Sequence, residues 1–190
     1  MSYKELLNKT LRLLSSPGKT WIEINKEEEI EVLRSFVYPM MTLCGLALLI
    51  GMIFDHGWSN ISLVNALTTC CSLLVSLLGG FFLSSYLVNM LGHRIGNRPA
   101  NDMANCKKLV GYSMSVIFIL EIFNGLFPSF IILRWILQFY TVYLVWEGAK
   151  NLMNIPEKVL LTYTLINSAV ILISPILVGN LFNSLSKVFN

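Results

Sequence analysis

The chain has 190 residues, 55% of them hydrophobic and 13% charged, with a mean hydropathy of +0.65 and a formal charge of +3. A soluble domain carries about 25% charged residues and about 45–50% apolar ones, so this composition excludes an ordinary water-soluble domain and gives no basic surface for nucleic acid. It predicts an all-α integral membrane bundle built as one domain.

The N-terminus, "MSYKELLNKTLRLLSS", interleaves charges with leucines and has no continuous apolar core before a cleavage site, so no secretory leader is expected. Ser2 and Glu5 have capping-box spacing. Tyr3, Leu7, Leu11 and Leu14 recur at helical spacing, with Leu6 and Leu13 beside them and Lys4, Lys9 and Arg12 at the flanks. This predicts a short amphipathic helix, either lying on the inner leaflet with Trp21 and Ile22 as further anchors or packed on the protein's own cytoplasmic face. Pro17-Gly18 should end it. "SSPGKT" ends like a phosphate-binding loop, but Leu13 stands where that loop needs glycine and no apolar strand precedes it, so no nucleotide is expected. The acidic run "NKEEEIE" reads as a solvated helical start.

A helix needs about 20 apolar residues to cross the hydrocarbon. Five stretches qualify: Phe36 to Phe54, Leu63 to Leu91, Leu109 to Phe127, Phe130 to Trp146 and Val159 to Phe182. Lys4, Lys9, Arg12, Lys19, Lys26 and Arg34 precede the first span, and "DHGWSN" after it has no Lys or Arg. Arg94, Arg98, Lys107 and Lys108 follow the second span, none lies between the third and fourth, and Lys150 and Lys158 follow the fourth. This alternation places the N-terminus in the cytoplasm and the C-terminus outside. The expected organisation is a cytoplasmic segment over residues 1–34, a five-span domain over 35–183 and a short non-cytoplasmic tail over 184–190.

Within "EIFNGLFPSFIILRW", Glu121 and Arg134 interrupt the apolar pattern. If spans three and four fold back at Phe127-Pro128, both lie about 10 Å inside the outer end at ~1.5 Å per residue. Intramembrane charges are costly and seek partners, so the two are expected to pair and fix the hairpin's register. The same construction pairs Lys108 with Glu147 at the cytoplasmic end. The Glu121/Arg134 pair is either architectural or a proton- or ion-handling site.

Span two carries Ser72, Ser76, Gly79, Gly80, Ser84 and Ser85, a face suited to close helix packing or to lining a pore. In span five, Asn167 should bond to another span and Pro175 should kink the helix. Cys44, Cys70, Cys71 and Cys106 lack metal spacing, and His56 and His93 fall on opposite membrane sides. No nucleophile elbow or zinc-protease motif is present, so no catalytic residue, metal or cofactor is expected.

The stretch "YTVYLVWEGAKNLMNIPEKVLLTY" (residues 140–163) resembles the region around the fourth span of the Yip family, the Ypt/Rab-interacting membrane proteins, through Tyr140, Tyr143, Gly148, Met153, Pro156 and Glu157. "LLSSPGKTWIEI" is similar to the Pro-x-x-x-Trp element of bacterial members, through Pro17 and Trp21. The long cytosolic N-terminal region and the Asp-Leu-Tyr-Gly-Pro motif of eukaryotic members do not appear, so the resemblance is to the bacterial type. It implies a five-span protein of the bacterial inner membrane, not an enzyme. Its expected partners are the lipid bilayer, other membrane proteins or further copies of itself. Its expected role is that of a membrane organiser or adaptor. The alternative is a small transporter or channel subunit that uses Glu121 and Arg134.

Overall fold

The computed structural model describes residues 3–56, 63–95, 102–127 and 131–188. Among them the secondary structure is helical: α1 (Tyr3–Ser15), α2 (Pro17–Ile24), α3 (Glu29–Val32), a π-helical turn (Leu33–Val37), α4 (Tyr38–His56), α5 (Leu63–Ile95), α6 (Met103–Ser113), α7 (Ser115–Leu126), α8 (Ile131–Leu137), α9 (Tyr140–Asn151) and α10 (Glu157–Val188). Ser2 of the expected capping box, the "GWSNIS" connection, Arg98 and Pro128 lie outside the described residues.

Among the described residues four helical stretches are long and apolar enough to cross a membrane: Glu29–Asp55, Val64–Ile95, Met103–Leu126 and Glu157–Ser186. The stretch expected as the fourth of five spans is not one helix. It divides into α8 and α9 at Gln138 and Phe139, where Thr141 N–H bonds the Gln138 carbonyl at 3.0 Å and Val142 N–H the Phe139 carbonyl at 3.0 Å. These three-residue closures are tighter than an α-turn, and each half alone is too short to span the hydrocarbon.

The first turns of the chain obey local chemistry. α1 stops at Ser15, and Pro17 opens α2 at a position where a missing N–H costs nothing. The π turn stands just ahead of Pro39, which cannot donate to the carbonyl four residues back. The widened turn absorbs that defect and lets α3 and α4 run on as one rod.

α6 and α7 form the central rod, with 67% of their span window buried against 22% and 28% for α5 and α10. The long helices associate in two pairs: α5 along α10, and α4 along α7. Glycine lets backbones meet in both, as small residues do in lipid. A Cβ on Gly51 would stand 1.7 Å from the Gly125 carbonyl oxygen. One on Gly80 would stand 2.6 Å from the Pro175 Cα, and one on Gly79 2.6 Å from Val178. Gly79 and Gly80 therefore serve close packing, and α5 passes through them without interruption, as α10 passes through Pro175.

At one end, α1 and α2 pack as a cap against α9, and α3 packs against α6. Leu6, Thr10, Leu13, Trp21 and Ile24 are buried there. Leu7 and Leu11, on the stripe the sequence singled out, remain 57% and 62% exposed, and Ile22 55%. Helix α1 thus packs on the protein through the Leu6/Leu13 side and leaves its other apolar side uncovered.

Candidate functional site

A cleft lies between the two helix pairs at the end remote from the cap. It holds a cavity of about 330 Å³. α7 contributes Glu121 and Asn124, α8 contributes Arg134, the α8–α9 break contributes Gln138, and α10 contributes Asn180 and Asn183. Thr69, Ser72 and Ser76 border it from α5, and Leu48, Leu73 and Ile176 supply apolar wall.

Glu121 and Arg134 meet across the α7–α8 connection. Arg134 Nη2 donates to Glu121 Oε1 at 2.5 Å, with the two side chains 31% and 12% exposed respectively. Each lies within two turns of the connection, so the pair sits near the rim of the bundle. Ser72 Oγ donates to Asn183 Oδ1 at 2.6 Å and Ser76 Oγ to the Pro175 carbonyl at 2.6 Å, so both serines tie α5 to α10 while bordering the cleft. Asn167 does not reach another span: its amide nitrogen donates to the Tyr163 carbonyl of its own helix at 2.7 Å. A short polar side chain inside a helix commonly bonds the carbonyl one turn back in this way.

Lys108 and Glu147 are not brought into an ion pair. Lys108 Nζ turns instead to the Asn25 carbonyl, at 3.4 Å, at the C-terminus of α2. Helix C-terminal carbonyls carry partial negative charge, which makes them a ready partner for an ammonium. Glu147 accepts instead from Asn151 Nδ2 at 3.0 Å and stands over Gly18.

The acidic run is solvated only in part: Glu28 and Glu31 are exposed, but Glu27 and Glu29 are not free. Glu27 accepts from Lys9 at 2.5 Å and from the Tyr112 hydroxyl at 2.6 Å, and Glu29 accepts from Lys107 at 2.5 Å. Lys9 also lies 4.8 Å from the centre of the Tyr112 ring. The sequence carried no sign of these contacts, because the partners are as much as 85 positions apart. The cleft amides did leave a trace: Thr69, Ser72 and Ser76 share one helical face, as do Asn180 and Asn183.

The motif positions gather at the cap. Trp21 is fully buried, edge-on to Tyr112 with ring centres 6.0 Å apart. A Cβ on Gly148 would stand 2.9 Å from the Trp21 ring and 2.4 Å from Leu109, so only glycine lets α9 approach the indole this closely. Pro17 is buried in the first turn of the same helix as Trp21. Tyr143 is exposed and stacks edge-on with Tyr140 at 5.5 Å, and the Tyr140 hydroxyl donates to the Leu14 carbonyl at 2.6 Å. Pro156 is exposed and immediately precedes α10. A family model, the Yip1 domain, matches residues 11–179. The chain belongs to the Yip1 domain family. The match takes in the Pro17/Trp21/Gly148 contact and the Glu121/Arg134 pair, and stops just short of Asn180 and Asn183. Comparison with curated proteins and with solved structures gave no significant match.

Among the described residues no group of three or more His, Cys, Asp and Glu side chains is placed to hold a metal. The sulfur atoms of Cys44 and Cys70 lie against backbone carbonyls, 3.3 Å from Phe118 and 3.9 Å from Gly45.

Proposed function

We propose that this Yip1-family protein is a non-enzymatic organiser or adaptor of the bacterial inner membrane, with its N-terminus in the cytoplasm and its C-terminus outside. The observation that carries the reading is the cap. It is locked to the bundle by Trp21, by the Lys9–Glu27–Tyr112 contacts and by Lys107–Glu29, yet it leaves Leu7, Leu11 and Ile22 uncovered. A fixed scaffold that holds large apolar side chains outward is what a docking surface for another membrane protein needs. A photoreactive amino acid at position 7 or 11 should give discrete protein adducts in native membranes, and one at the buried position 13 should not. Adducts with lipid alone would make the row a membrane anchor and sink the adaptor reading.

A second reading is favoured by the cleft, a polar cavity that reaches Glu121. The hydroxyls of Ser113, Ser115, Thr141, Thr164 and Ser168 are also buried within the bundle. In this reading Glu121 exchanges protons in a small transporter. Proteoliposomes loaded with a pH-sensitive dye would show a proton leak that Glu121→Gln abolishes. A leak equal to that of empty liposomes would remove this reading.

A further inference from the structure

The cleft also has a chemical signature of its own, independent of the cap. It contains one guanidinium and one carboxylate already in contact, so its formal charge is zero. A guanidinium has five N–H donors. One faces Glu121, and the side chain is 31% exposed, so others are open to the cleft. Ser72 engages the Asn183 carbonyl oxygen and so turns the Asn183 NH2 group away, free to donate. The side chains of Asn124, Gln138 and Asn180 line the same space and make no hydrogen bond to another described residue. Leu73, Leu172 and Ile176 give it an apolar wall.

A simple anion placed here would leave net charge in a low-dielectric setting, and so would a simple cation. A zwitterion adds neither. Its two poles match the two poles of the pair, and the amides bond to either. The site is also at the right depth. Glu121 lies five residues before the end of α7 and Arg134 three residues after the start of α8. That is about 8 Å and about 5 Å below the connection at ~1.5 Å per residue, the level where lipid head groups meet acyl chains. The cleft opens between helices rather than being enclosed, so its occupant enters from the bilayer.

We propose that the cleft between the α4/α7 and α5/α10 pairs binds the head group of a zwitterionic phospholipid with a primary amine. The phosphate lies on Arg134 and the amide N–H groups of Asn183 and its neighbours. The ammonium lies on Glu121 and the amide oxygens. A primary ammonium donates hydrogen bonds to these acceptors, whereas a trimethylated one cannot, and a glycerol head lacks the positive pole.

The test is native mass spectrometry of the full chain released from vesicles of phosphatidylethanolamine, phosphatidylcholine and phosphatidylglycerol in equal amounts with matched acyl chains. Phosphatidylethanolamine should be retained roughly tenfold over either of the others, the discrimination one charge-assisted hydrogen bond supplies. The Glu121→Gln/Arg134→Gln double variant should lose that preference. Asn180→Leu with Asn183→Leu, at exposed positions on the cleft edge, should weaken it with no greater loss of thermal stability than Ser72→Ala, which removes the same Ser72–Asn183 bond, and this covers the case in which the first variant fails to fold. Soluble O-phosphoethanolamine should not displace the lipid, because the apolar wall holds the glycerol and first methylenes. Equal retention of the three lipids, a preference for phosphatidylglycerol, displacement by the soluble head group, or a preference unchanged in the Asn180/Asn183 variant would each overturn the proposal. Photoadducts at position 7 report on the cap alone, so this site and the adaptor reading succeed or fail separately.

Discussion

The two ends of the bundle are held by different physics. At the cap end, aromatic rings, ion pairs and three short helices pack onto α6 and α9. Trp21, Tyr112 and Phe36 form one stack, with Phe36 and Tyr112 ring centres 4.5 Å apart. At the other end, two helix pairs are each held at glycine contacts and flank a polar cavity. The contrast teaches that a membrane bundle can leave a cleft open at one end when the other end is pinned by packing that does not depend on lipid.

Substitutions can break or sharpen that contrast, and they rank by the size of what they remove. Trp21→Ala empties the centre of the cap. A fully buried tryptophan truncated to alanine costs about 4 kcal/mol, and the helices before Glu29 should become protease-sensitive while the spans stay folded. Gly51→Ala attacks the other end, where a Cβ meets the backbone of α7 and no side chain can swing away. A cost of about 3 kcal/mol is expected, read as a fall of about 6–12 °C in Tm in detergent.

Neutralising one member of the Glu121/Arg134 pair leaves a lone charge in the membrane and should cost about 2 kcal/mol, whereas neutralising both should cost less than either single change. A double-mutant cycle on unfolding in detergent measures this coupling, and additive losses would show that the two side chains do not act as a pair. Arg12→Gln is the smallest. Its partner Glu23 and Arg12 itself are more than half exposed, so the loss should stay below about 1 kcal/mol. That variant serves as the control for Trp21→Ala on the same cap.

Much of the architecture was open to reading from residue order, and the limits fall where two distant segments meet. Hydropathy marks α4, α5, α6–α7 and α10 because each is a property of one stretch. The contact of Glu121 with Arg134 needs only the position of a turn 13 residues wide. Lys108 and Glu147 satisfied the same depth rule and still went to other partners, because Asn25, 83 positions before Lys108 at the end of α2, offers its carbonyl to the ammonium. The division at Gln138 was hidden because an apolar run reads alike whether its helix is whole or broken. Glu27 and Glu29 of the acidic run looked solvated for a related reason, since nothing nearby in the chain announces Lys107 or Tyr112. The cleft depends on how two helix pairs stand side by side, which no single segment encodes.

The widened turn at Leu33–Val37 sets the phase of everything before it. It holds one residue more than an α-turn would, and one helical residue corresponds to about 100° of rotation. Deleting a single position there would restore regular winding and swing Glu29 round the axis, away from Lys107. The cap would then present itself to a different flank of α6. Where this protein's cap points is therefore recorded in the length of one helix, as a gear's timing is recorded in its tooth count, and an insertion or deletion at that turn would re-aim it more than any change of side chain.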